Sequence, residues 1–226
     1  MNRQLILSDL RHIGDAFIKV YPMSLRWIVR HWGWSVACIF LVFSSFWLDT
    51  AIYSVIRNIN DPLFDALFSF GRWYGSGEAT LICFIILYFT GLLLSNYKLR
   101  ETALLIGESY IFSGIITLLF KSATGRWRPY MNRDFLDFSG GWSWSNNDQF
   151  SYFSGHASVS FALSTVLAEM TENRYLKIFY YTLAIITCIS RIYHNQHWLS
   201  DVVSGAIVAY LVSRVLLGIH KEPGVN

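Results

Sequence analysis

Charge is what this chain has least of: lysine, arginine, aspartate and glutamate make up 15% of its 226 residues, against 54% hydrophobic residues and 17% aromatics. That balance points away from an ordinary soluble domain, which at this length could be built with far fewer apolar residues. Cysteine is scarce as well. Cys38, Cys83 and Cys188 each stand inside an apolar run, at spacings that fit neither a zinc site nor a redox CxxC pair, so they read as small buried hydrophobes. A net charge of +3 is too slight to point to nucleic acid as a partner. Residues 1–20 have no continuous apolar core, being interrupted by Asp9, Arg11, His12 and Asp15, and no cleaved presequence is expected.

What the chain does have is apolar length. Runs at residues 34–55, 79–95, 102–120, 157–170, 175–190 and 202–217 predict an all-α integral membrane bundle of about six transmembrane helices, with interfacial helices beside them. Leu5, Ile6, Ile13, Phe17 and Ile18 recur at helical spacing beside Arg11 and Lys19. They describe an amphipathic helix, lying either on the membrane surface or against the bundle. Pro62, Leu63, Phe64, Leu67, Phe68 and Phe70, with Trp73, read as a short interfacial helix. The longest loop, residues 121–153, carries Trp127, Tyr130, Trp142, Trp144 and Tyr152, aromatics of the kind that anchor at headgroup level. The expected organisation is an N-terminal interfacial segment at 1–32, a six-helix membrane domain at 33–219 and a cytoplasmic tail at 220–226.

Basic residues give the orientation. Arg3, Arg11, Lys19, Arg26 and Arg30 precede the first span, Lys98 and Arg100 join the second to the third, and Arg174 and Lys177 join the fourth to the fifth. With Lys221 they fall on one side, which is then cytoplasmic, and both termini with it. The other face also carries Arg57, Arg72, Lys121, Arg126, Arg128, Arg133 and Arg191, which blurs the signal unless some have another task.

Three segments at span boundaries on that second face concentrate the unusual residues: Lys121-x6-Arg128-Pro129, Ser154-Gly155-His156, and Ser190-Arg191-x5-His197-x3-Asp201. Cations held at a membrane surface without matching carboxylates call for an anion. Lys121, Arg128 and Arg191 together offset the charge of a phosphate, each guanidinium offering a bidentate fork. Ser154 and Gly155 open the fourth span, where free backbone N–H groups and the positive helix end favour a phosphate oxygen. His197 and Asp201 share a helical face if the helix starts early enough, so that Asp201 fixes the imidazole tautomer and frees the other nitrogen to attack phosphorus. His156 is the candidate acid for the departing oxygen.

These segments resemble the three signature motifs of the type 2 phosphatidic acid phosphatase superfamily, K-x6-R-P, P-S-G-H and S-R-x5-H-x3-D. The likeness covers residues 121–201 and the helical frame around them. It implies a phosphatase of a lipid phosphomonoester or pyrophosphate that needs no metal or other cofactor. The implied roles are phosphate binding for Lys121, Arg128, Ser154, Gly155 and Arg191, nucleophilic attack for His197, protonation of the leaving group for His156, and orientation of His197 for Asp201. Phe153 departs from the pattern by standing where proline is usual, which affects loop geometry and not chemistry.

The resemblance leaves the lipid open between undecaprenyl pyrophosphate, phosphatidylglycerophosphate, phosphatidic acid and lipid A. The expected setting is a bacterial inner membrane with the site facing outward, and the expected partners are the bilayer and its lipid phosphate. Transfer to an acceptor other than water, or capture of a headgroup without cleavage, are the alternatives. A zinc set of His194, His197 and Asp201 is disfavoured by the three cations around it. A calcium site in Asp134, Asp137, Asn146, Asn147 and Asp148 lacks the EF-hand spacing. Glu108, inside the third span, serves either substrate and proton movement or a polar partner on another helix.

Overall fold

The structure, a computed structural model, describes residues 3–59, 61–140 and 146–221, with side chains from residue 7 to residue 220 of that set. Trp142 and Trp144, the side chains of Leu5 and Ile6, and tail residues 222–226 lie outside it. Among the described residues there are eight α-helices and no strand. They are α1 (Arg3–Arg30), α2 (Trp32–Ile56), α3 (Pro62–Tyr74), α4 (Gly77–Leu93), α5 (Tyr97–Thr124), α6 (Gly155–Glu169), α7 (Arg174–Tyr193) and α8 (Leu199–Lys221).

Helix starts are set by side-chain caps. Asp61 accepts from Leu63 N–H ahead of Pro62, Ser76 from Ala79 N–H, Asn96 from Leu99 N–H, Ser154 from Ala157 N–H and Asn173 from Tyr175 N–H. Gly125 ends α5 at φ +57°, a left-handed turn in which a Cβ would also meet the Ser139 hydroxyl at 2.6 Å.

All six predicted apolar runs fall on helices, and the all-α membrane bundle stands. The number of self-sufficient spans is smaller than six. Four helices, α2, α5, α7 and α8, are long and apolar enough to cross a bilayer, and α3 with α4, bent by 59° at their junction, can supply a fifth. Helix α6 has 15 residues, about 22 Å against a hydrocarbon core of about 30 Å. It packs against α5, α7 and α8, and nine of its residues are buried. Helix α2 is the opposite case, with Phe40, Phe43 and Trp47 turned outward and Trp47 87% exposed. Such a surface needs a bilayer.

Close helix contacts rest on small residues, as expected where lipid removes the hydrophobic drive between helices. At Gly205 of α8 a Cβ would lie 2.6 Å from the Ser154 carbonyl. Ser158 of α6 donates to the Gly205 carbonyl at 3.1 Å and shares a 2.9 Å hydrogen bond with Thr117 of α5. On the other flank, Thr187 and Ser190 of α7 donate to the Gly71 and Phe68 carbonyls of α3. Helix α1 lies on α8 and α5, while Phe17, Ile18, Tyr21 and Val29 on it stay exposed. Its Asp9 pairs with Arg100 and accepts from Tyr88, and its His12 meets Glu108.

Candidate active site

The end of α5, the start of α6, the end of α7 and the start of α8 come together at one end of the bundle, and the loop between α5 and α6 folds over them. The close α6–α8 crossing at Gly205 makes this register. It lets Ser154 N–H donate to the Asp201 carbonyl at 2.9 Å, so that the cap of one helix is tied to the first turn of the next.

Every residue singled out in the three motifs is at this end. Lys121 and His156 line one cavity of about 570 Å³ with Gly155, Tyr110, Ile115 and Val159. Arg191, Lys121, Arg128 and Arg72 are all within electrostatic reach of His156. Lys121, Arg191 and Asp201 stand in the same relation to His197. Lys121 Nζ donates to the Phe150 carbonyl at 2.5 Å. Arg128 donates through Nε and Nη2 to Asn147 at 3.0 and 2.9 Å and through Nη1 to Gln196 at 2.5 Å. Arg191 is buried, and its Nε has no hydrogen-bond partner among the described residues. Three cations thus meet at a site where Asp201, the carboxylate that acts on both Lys121 and Arg128, is otherwise engaged.

That engagement involves residues the sequence reading did not single out. Arg126 has no exposed surface and lies between two carboxylates, 2.5 Å from Asp201 Oδ1 and 2.7 Å from Asp49 Oδ2. Its guanidinium is walled by the rings of Phe46, Phe138, Tyr152 and Trp198 at 4.9 to 5.9 Å. Ser200 completes the cluster, donating to Asp49 through N–H and hydroxyl at 2.7 and 2.6 Å. Asp201 Oδ2 accepts from the Ser151 hydroxyl and from Trp198 N–H at 2.8 Å. One signal was available: Asp49 is a carboxylate inside the first apolar run, and such a residue is expected to have a buried partner.

His197 is 2% exposed, with Nδ1 3.5 Å from Asp201 Oδ2, longer than an ordinary hydrogen bond. Burial pushes its pKa well below the usual histidine value, and Lys121 and Arg191 push the same way, against the pull of Asp201. The neutral imidazole is therefore the resting form. His194 Nδ1 is occupied by the Ser190 carbonyl at 2.7 Å. His194, His197 and Asp201 do not gather their ligating atoms into one metal-sized cluster. The five loop residues considered for calcium serve the loop itself: Asp134 and Asn146 cap turns, Asp137 pairs with Arg133, Asn147 holds Arg128, and Asp148 accepts from Tyr130 at 2.6 Å.

The pattern of the PAP2 superfamily matches residues 102–223, and the chain belongs to that superfamily. It is an integral membrane protein by its helices, and its membership supports a phosphatase as the enzyme class. Among curated proteins it is similar to the lipid A 4'-phosphatase of Porphyromonas gingivalis, 21% identical over 76% of this chain and 73% of that protein. It is also similar to the lipid A 1-phosphatase of the same organism, 42% identical over 29% of this chain; that match spans only 15% of the relative. Two solved structures share the fold. LpxE of Aquifex aeolicus superposes with a TM-score of 0.61 at 22% identity, covering 76% of this chain and 95% of its own. A PAP2-type phosphatidylglycerolphosphate phosphatase of Bacillus subtilis gives 0.55 at 15% identity, covering 92% and 96%.

Proposed function

We propose that this protein is a metal-independent lipid phosphatase that removes phosphate from a lipid A-type substrate through a phosphohistidine intermediate. The observation that carries the reading is the meeting of Lys121, Arg128 and the unpaired Arg191 around two histidines, beside a cavity that continues between apolar helices. A phosphate satisfies the cations, and a lipid anchor satisfies the cavity wall. In this reading Ser154 and Gly155 hold a phosphate oxygen at the α6 N-terminus. Neutral His197 attacks phosphorus, the bond to the lipid oxygen breaks, and His156 gives that oxygen its proton. Water then attacks the phosphohistidine and releases inorganic phosphate. Asp201, immobilised by Arg126, Ser151 and Trp198, keeps the His197 ring aimed. The choice of lipid A rests on the curated relatives and is the finer part of the reading.

The test is phosphate release by detergent-solubilised protein, with chelator present, from lipid A, undecaprenyl pyrophosphate, phosphatidylglycerophosphate and phosphatidic acid. Lipid A is expected to be hydrolysed fastest, and His197→Ala is expected to be inactive while eluting as a folded protein. Release from none of the four would reject the phosphatase reading, and a preference for another lipid would reject only the choice of substrate.

A further inference from the structure

At the opposite end of the bundle, three residues far apart in sequence meet in the interior. His12 of α1 brings Nδ1 to 2.8 Å from Glu108 Oε1 of α5, and His220 of α8 brings Nε2 to 3.1 Å from the other oxygen of the same carboxylate. The two imidazoles stack at 3.5 Å with their planes 5° apart. All three side chains are almost fully buried, at 7%, 3% and 2% relative exposure for His12, Glu108 and His220. The active-site chemistry does not use them: Asp201 and His220 are separated along α8 by about 28 Å at 1.5 Å per residue.

We propose that His12, Glu108 and His220 form a binding site for a divalent transition metal of the zinc class, which staples α1 to the bundle. Each residue offers one ligating atom, and the three atoms lie within 4.8 Å of one another; the rings tilt out of their stack to bring both nitrogens onto one ion. Two imidazoles and a carboxylate are a donor set zinc accepts, with a fourth position left for water. The doubly charged ion takes the place of protons between the rings and the carboxylate. His12 Nε2 and His220 Nδ1, the nitrogens turned away, have no protein partner among the described residues.

An entry path is present. A cavity of about 440 Å³ opens beside His220, lined by Glu101, Glu169 and Glu172 with Lys98. Glu169 is paired with Arg214, and Glu101 and Glu172 are the carboxylates left to attract a cation at the mouth. The site is structural, and the reaction proposed above does not depend on it.

The experiment uses the full chain purified in detergent without a polyhistidine tag, loaded with zinc sulfate and freed of excess metal by gel filtration. Elemental analysis is expected to find one zinc per chain, and zinc is expected to raise the thermal midpoint by several degrees. His12→Ala and His220→Ala should each lose the bound zinc and the shift. Glu108→Gln, which keeps the shape and a hydrogen-bonding side chain, should weaken zinc binding at least tenfold and serves if either alanine variant fails to fold. Less than a tenth of an equivalent of zinc in the wild type, or retention of stoichiometric zinc by Glu108→Gln and both histidine variants, would overturn the proposal.

Discussion

The charge state of one ring sets the pH range in which the proposed nucleophile is ready. His197 is pushed below the ordinary histidine range by burial and by Lys121 and Arg191, so lowering the pH through 6.5 should leave it unprotonated in the ligand-free protein. Histidine-selective NMR in detergent, with the resonance assigned by its loss in His197→Gln, should show the neutral form persisting below pH 6.5. A midpoint at or above 6.5 would mean that Asp201 outweighs burial. Arg126 offers a second prediction at this scale. Replacing it by methionine leaves Asp49 and Asp201 facing each other in a site with no exposed surface. A loss of about 3–5 kcal/mol is expected for breaking a buried pair from one side. Asp49→Asn added to Arg126→Met should restore part of it, read as thermal inactivation in detergent. Absence of any rescue would show that the cluster is not one electrostatic unit. The contrast between His197 and Arg126 also shows what a sequence can disclose. The histidines, Lys121, Arg128 and Arg191 were legible because their chemistry is unusual at a span boundary and their spacing is fixed. Arg126 lies inside the same first motif, yet its partners Asp49 and Asp201 come from α2 and α8, 77 and 75 residues away. Only the helix packing brings them to it.

At the scale of elements, site geometry depends on how closely α6 and α8 approach. Gly205 lets the two backbones meet, and a side chain there would strike the Ser154 carbonyl, which is main chain and can move only with its helix. Gly205→Val should therefore displace the start of α6 and with it the proposed phosphate cradle. Overpacking of this kind costs about 1–3 kcal/mol, and misplacement of reacting groups should lower kcat/KM by about tenfold or more. Gly33→Ala, at a glycine with no atom within 4 Å of the added Cβ, is the control and should leave both quantities nearly unchanged. Equal behaviour of the two variants would show that the crossing does not set the site. Helix positions were readable from apolar runs, and so was the shortness of the run at 157–170, whereas what surrounds α6 was not. Hydropathy reports that a segment avoids water; it does not say whether lipid or other helices replace it, and α6 is surrounded by helices. The same limit hid the seat of α1, because an amphipathic face fits a membrane surface and a bundle flank equally well until Asp9 and His12 are seen with Arg100 and Glu108.

For the whole molecule the open question is which way the bundle faces, and the structure sharpens the charge asymmetry on which the answer rests. Arginines and lysines near the active-site end had blurred the count. Several prove to be engaged inside the protein: Arg126 is neutralised by two aspartates, and Lys121, Arg128 and Arg191 surround the proposed phosphate position. Arg133 at that end is paired with Asp137. The residues free to interact with a membrane surface are then mostly at the other end, among them Arg26, Arg30, Lys98, Arg174 and Lys177, although Arg100 there is buried with Asp9. We propose from the positive-inside tendency that this end is cytoplasmic and the active site outside, with Arg57 and Arg72 as exposed exceptions on the active-site face. Single cysteines can test this in a protein whose Cys38, Cys83 and Cys188 have been replaced by alanine. Leu136, in the loop over the active site, and Tyr175, at the start of α7, are both more than half exposed. In intact cells with a permeabilised outer membrane, a membrane-impermeant maleimide should label Leu136→Cys and leave Tyr175→Cys untouched until the cells are lysed. The reverse pattern would put the site in the cytoplasm, where lipids of the outer leaflet could not reach the cavity, and the proposed substrate would then have to be a lipid of the inner leaflet.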